Sequence, residues 1–197
     1  MGLDMYLESA KKNADFTLQQ MIEMDEEIYD GSNKGIIETH KDIINEIKYE
    51  WLKEPRYSFF KEEIYWRKAN AIHNWFVDKV QDGVDNCEYY EVTKSNIEEL
   101  CDLCKEVLEK SYTVDGKVNN GFTIENGKMK VNTIDGKVII NPEIAEELLP
   151  TKSGFFFGGT GYDEFYIEDL TYTYEKLYDL LKNFDFENNY LVYRSSW

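Results

Sequence analysis

Three cysteines, three prolines and 22 basic side chains are all that the 197 residues hold of those types. An odd cysteine number, with no export signal expected at the front, favours reduced thiols over a disulfide framework. Set against 39 acidic residues, the scarce Lys and Arg leave a net charge of −17. That balance disfavours direct binding to DNA, RNA or anionic lipid, because a polyphosphate is held by a local excess of Lys and Arg that displaces its counterions. No apolar run approaches the ~20 residues that span a bilayer, and the opening residues 1–7 lack both a basic n-region and a long apolar stretch. The chain is therefore expected to be soluble and cytoplasmic. Gly2 does not read as a myristoylation site, since Tyr6 stands where that motif needs Ser or Thr. Repeats and low-complexity linkers are missing too, so residues 1–197 are expected to form a single domain.

What is present is enough to build a core: 42% of the residues are hydrophobic and 15% aromatic. Leu3, Met5 and Leu7 alternate with polar neighbours, the period of a half-buried strand over residues 2–8. Leu18, Met21, Ile22 and Ile28 take helical spacing up to the turn formers 30–33, and Ile36, His40, Ile43, Ile44, Ile47 and Trp51 continue it to Pro55. Tyr65, Ala69, Ile72, Phe76 and Val80 fall within one arc of a helix expected over 61–81. A short strand follows at 88–92. Ser95 to Glu98 then reads as a capping box opening a helix with Ile97, Leu100, Cys101, Cys104 and Leu108 on one face.

Between 112 and 141 the texture turns to β-type runs separated by Asp115-Gly116, Asn126-Gly127 and Asp135-Gly136, dipeptides of tight turns. This stretch is expected to be an inserted β-hairpin or meander, peripheral to the rest. Asn141-Pro142 opens a short helix to Leu149, 155–157 reads as an apolar strand fragment, Leu170 to Phe184 as the last helix and 190–194 as a terminal strand. The fold class is α+β: a small mixed or antiparallel sheet, built from the two chain ends and the 155–157 strand, packed against about three to five helices.

Two stretches could carry chemistry. On the 61–81 helix, Arg67, Lys68, Asn70, His73 and Asn74 would form a polar wall, the guanidinium a fork, the amides donors and acceptors, and His73 a titratable nitrogen. The glycine-rich segment 149–164, with Thr151, Ser153, Thr160, Tyr162 and Asp163, would form a floor where backbone N–H groups approach a ligand. It lacks the spacing of a P-loop or a Gly-x-Gly-x-x-Gly turn. It also reads as a plain strand-to-helix turn capped by Thr160 or Asp163. Cys101 and Cys104 sit on an apolar helix face without a placed base or further ligands, so no metal and no cofactor is expected.

The blocks MGLDMYL at 1–7, YWRKANAIHNWFV at 65–77 and LLPTKSGFFFG at 148–158, with Tyr162-Asp163-Glu164 and the closing Ser195-Ser196-Trp197, resemble an uncharacterised family of small proteins of bacteriophages, prophages and other mobile elements. The resemblance implies a phage accessory context inside a bacterial host cell and no mechanism. With the acidic charge it leads to one expectation: a non-enzymatic inhibitor of a host or defence protein, of anti-CRISPR or anti-defence type, imitating nucleic acid against a nuclease. The alternative is a binding protein or enzyme for a small phosphorylated or nucleotide-like ligand, using the 67–74 wall and the 151–163 floor.

Overall fold

A computed structural model describes residues 2–48, 50–51, 53–154 and 156–197, and its architecture is α+β. Strand β1 (Asp4–Lys11) pairs along its whole length with the last strand, β8 (Asn189–Ser196), from Asp4 opposite Ser196 to Lys11 opposite Asn189. On its other edge β1 pairs antiparallel with β4 (Lys61–Arg67), and β8 takes a short outer strand, β5 (Tyr90–Glu91), giving the order β4-β1-β8-β5. The strands nearest the two ends of the sequence thus form the centre of the sheet.

The pleat sends Met5, Leu7, Ile64, Trp66, Leu191 and Tyr193 into the main core, which α3 (Asn70–Lys79), α4 (Lys94–Lys110) and α6 (Glu164–Asn183) complete with Ile72, Phe76, Leu100, Cys104, Leu170 and Leu177. From the opposite side Ala10 and Val192 reach a smaller core with Met21 and Ile28 of α1 (Leu18–Tyr29), Ile37 of α2 (Lys34–Thr39), and Phe59 and Phe60. The sheet is therefore a middle layer. Asp25 pins α1 to the two-stranded ribbon of β2 (Asn45–Ile47) and β3 (Arg56–Ser58), accepting from Ser58 Oγ at 2.9 Å and Phe59 N at 2.8 Å. Burial nevertheless pushes its carboxyl above the usual range.

Several elements differ from the sequence expectations. The 61–81 helix is a strand, a kink and a shorter helix: Ile64 and Trp66 alternate with Tyr65 and Arg67 as a strand must, Lys68 takes φ +63, and α3 begins only at Asn70. The helical spacing of Tyr65 and Ala69 with Ile72 is accidental, because pairing with β1 outweighs it. Tyr65 lies across the sheet from Tyr6 and donates to Asp4, a bond that pushes its hydroxyl up to about 12. The helix expected from Ile36 to Pro55 stops at Thr39, and β2 follows; Tyr49 and Leu52 of that stretch lie outside the described residues.

The cap of α4 is Thr93 with Asn96, two residues before the Ser95 box. The 155–157 strand is not formed at Phe156 and Phe157, which belong to a loop whose Phe157 N bonds to Gly154 O at 3.3 Å; Phe155 lies outside the described residues. Its place in the sheet is taken by β4 and β5. In the 112–141 stretch only Asn126-Gly127 is a turn, with φ +52 and +75, joining β6 (Thr113–Glu125) and β7 (Lys128–Ile139) into one long hairpin. Gly116 and Gly136 face each other inside it, and a Cβ at Gly136 would meet Glu164 Oε1 at 2.6 Å. After β7 comes α5 (Glu143–Leu148). Among the described residues no helix is long and apolar enough to cross a membrane.

Candidate functional site

The start of α3 lies where β4, the 150–162 loop and β8 converge. Lys68 in its left-handed kink lets the chain leave the sheet, and Gly158, at φ +96, passes so close that a Cβ would lie 3.2 Å from Lys68 O. Asn70, 4% exposed, uses its whole amide on this loop: Nδ2 donates to Phe157 O (3.2 Å) and Gly159 O (2.7 Å), and Oδ1 accepts from Lys152 N (2.9 Å). Asn74 Nδ2 donates to Pro150 O at 3.4 Å. Thr151 donates through Oγ1 to Thr160 O and through its N–H to the Tyr162 hydroxyl. Asp163 caps α6 through Phe165 N and Tyr166 N, and Ser153 is exposed. Wall and floor therefore meet, but as partners of one another. Arg67 is not part of the wall: it sits on β4, its side chain largely exposed, 3.9 Å from Asp4.

His73 is fully buried and both its ring nitrogens are occupied: Nδ1 lies 2.8 Å from Tyr193 Oη and Nε2 3.1 Å from Asp85 Oδ2. The other oxygen of Asp85 accepts from Trp197 Nε1 at 3.0 Å, and Phe157 packs edge-on against the imidazole. A carboxylate only accepts, so Nε2 carries the proton and Nδ1 accepts from the tyrosine. Burial lowers the His73 pKa against the opposing pull of Asp85, and burial also holds the Tyr193 hydroxyl far above its usual range. A Tyr–His–Asp relay could move a proton. With Tyr193 fully enclosed, no substrate atom reaches its oxygen, and the chain of bonds instead ties α3, the 82–85 turn and the C-terminal residue together. Sequence reasoning singled out His73 and missed Asp85, Tyr193 and Trp197.

The relay sets a pH dependence. Since the folded pKa of His73 lies below its ordinary value near 6.5, the unfolded chain takes up a proton first, and stability falls as pH drops below about 6.5 toward the folded value. In urea titrations from pH 7.5 to 5, wild type should lose stability more steeply than His73→Gln; parallel curves would show that the ring is not held neutral.

Open grooves lie elsewhere among the described residues. One of about 590 Å³ runs between β4 and the end of α6, lined by Lys61, Glu63, Lys176 and Asp179, and one of about 610 Å³ lies at the hairpin base around Gly116, Gly136 and Glu164. Neither contains one of the named wall residues or a residue of the 151–163 loop, although Glu164, the last residue of the glycine-rich segment, lines the second. Cys101 and Cys104 are free and buried, with burial raising both thiols, and among the described residues no cluster of three His, Cys, Asp or Glu could hold a metal. A polar knot not expected from the sequence lies on the sheet's second face, where Arg194 forks onto Glu8 (2.8 and 3.2 Å) beneath Tyr6 and Tyr89. No protein-family model matches the chain, and no similar protein was found among curated proteins or solved structures.

Proposed function

We propose that the chain is a non-enzymatic, phage-type accessory protein that engages a host or defence protein, an acidic inhibitor whose carboxylates contact a basic nucleic-acid-binding surface such as the channel of a nuclease. The observation that carries this reading is where the uncompensated charge sits. On α4 four of the five acids are neutralised in place, Glu98, Glu99, Glu106 and Glu109 each pairing with a lysine while the exposed Asp102 stands outside these pairs. On α1 and α5 they are not: Glu23, Glu26, Glu27, Glu143, Glu146 and Glu147 are exposed, with no basic partner at salt-bridge distance among the described residues. Such rows of carboxylates present phosphate-like charge and steer association with a basic partner. Asp25, although next to Glu26 in sequence, takes no part, being bound to Ser58 and Phe59.

The small-ligand alternative draws no comparable support, because the amide of Asn70 and both nitrogens of His73 are spent inside the protein. The test is capture from a bacterial lysate on the immobilised chain, with mass spectrometry of retained proteins and of small molecules released on denaturation. Basic nucleic-acid-binding proteins should be retained near 0.1 M salt and lost by about 0.5 M as screening shortens the reach of the carboxylates. With the captured partner purified, the Glu23→Gln/Glu26→Gln/Glu27→Gln variant should associate several-fold more slowly at unchanged melting temperature. Salt-insensitive retention, or a stoichiometric small molecule in place of a protein, overturns the proposal.

A further inference from the structure

The far end of the β6–β7 hairpin projects from the fold as an exposed arm. Its base is held by buried Val118 and Ile139, by Ile139 N on Tyr162 O, and by Lys137 N on the Glu164 carboxylate. Past Val118, every residue from Asn119 to Val131 is exposed. Within that arm Phe122 stands opposite Val131 and Ile124 opposite Met129, so all four side chains share one face. They are 62%, 53%, 73% and 70% exposed, in that order. Toward the base the same face continues with Lys117 paired to Asp135 and Lys137 to Asp115, and is neutral. The reverse face of the tip is polar, with Thr123, Glu125, Lys128 and Lys130.

The geometry points to a second copy of this chain as the occupant: two arms pack their apolar faces together about a twofold axis, forming a homodimer through their tips. Charge restricts where two copies can meet. The hairpin carries Lys117, Lys128, Lys130 and Lys137 against Asp115, Glu125 and Asp135, a net of +1, so the remainder carries −18 of the total −17. Two such bodies repel, and a dimer interface anywhere on them would have to overcome that. The arm's apolar face has no net charge with which to select a basic or an acidic partner, and what complements a neutral apolar strip is another one, which each copy offers. The exposed stretch is about six residues long per strand, roughly 20 Å at ~3.3 Å per residue. Arms lying antiparallel over that length keep the bodies beyond the ~8 Å reach of charge at physiological salt. The patch is small against the ~800 Å² per partner of a standard interface, so the dimer is weak, with Kd on the order of 10–100 µM.

Sedimentation equilibrium of the full chain, from about 1 to about 500 µM, tests this. Monomer should give way to dimer, and salt should strengthen or leave unchanged the association, opposite to the loss expected for an acidic surface on a basic partner. The two readings therefore fail separately. Ile124→Glu and Met129→Glu should each raise Kd at least tenfold with unchanged melts, since both side chains are exposed, whereas Thr123→Glu on the reverse face should not. A chain monomeric throughout, a dimer untouched by Ile124→Glu and Met129→Glu, or one weakened equally by Thr123→Glu overturns the assignment.

Discussion

Arg194→Ala should destabilise the protein by about 3 kcal/mol, far more than an exposed ion pair would. Arg194 lies on β8 directly opposite Tyr6 of β1, and its guanidinium forks onto Glu8, whose side chain is only 11% exposed. Removing the arginine leaves that carboxylate desolvated and alone, and also strips the cation from above the Tyr6 ring, 4.3 Å from its centroid. The cost arises from the stranded charge more than from the lost contact. Pairing Arg194→Met with Glu8→Gln should therefore recover most of the loss, which a double-mutant cycle in urea measures. A single-variant loss below about 1 kcal/mol would place the pair among solvent-screened surface bridges.

Much of the fold was legible because local pattern and tertiary demand agreed. Met5 and Leu7, alternating with Leu3, lie in the strand they predict; Ile97, Leu100, Cys101 and Cys104 repeat at helical spacing and lie on the buried face of α4; Asn126-Gly127 predicts the turn it makes. Where they disagreed the tertiary term won. Residues 61–67 keep helical spacing with those that follow, yet the unpaired edge of β1 takes them as a strand, and no local pattern reports that an edge more than fifty residues upstream is vacant. The same limit governs the site. His73 stood out as a polar group beside an apolar arc, but its partners Asp85 and Tyr193 lie 12 and 120 residues away, and only the folded chain brings them together. Asn70 was legible as a hydrogen-bonding residue. That its partners are loop carbonyls of the same molecule follows from the close approach of Gly158, which sequence does not display.

Asp169→Asn should stabilise the protein at pH 8 by roughly 2 to 4 kcal/mol while leaving it nearly unchanged below pH 4. Asp169 precedes the core residue Leu170 on α6, where burial first, and then the charges of Glu168 and Asp163, push its carboxyl up to about 7. The sign follows from which state holds the proton. Between the ordinary carboxylate value of 3.8 and about 7 the folded chain keeps Asp169 neutral while the unfolded chain has released it, so the stabilisation is complete below the lower value and is lost as pH rises through the higher. At pH 8 the native state must carry a desolvated carboxylate beside other negative groups, a burden the neutral amide removes. Glu168→Gln should have a smaller effect in the same direction, because it withdraws one neighbouring charge and leaves the burial in place. Urea midpoints of wild type and both variants from pH 4 to 8 measure this. Curves for wild type and Asp169→Asn that run parallel across the whole range would mean that solvent reaches the carboxylate and that its proton plays no part in folding.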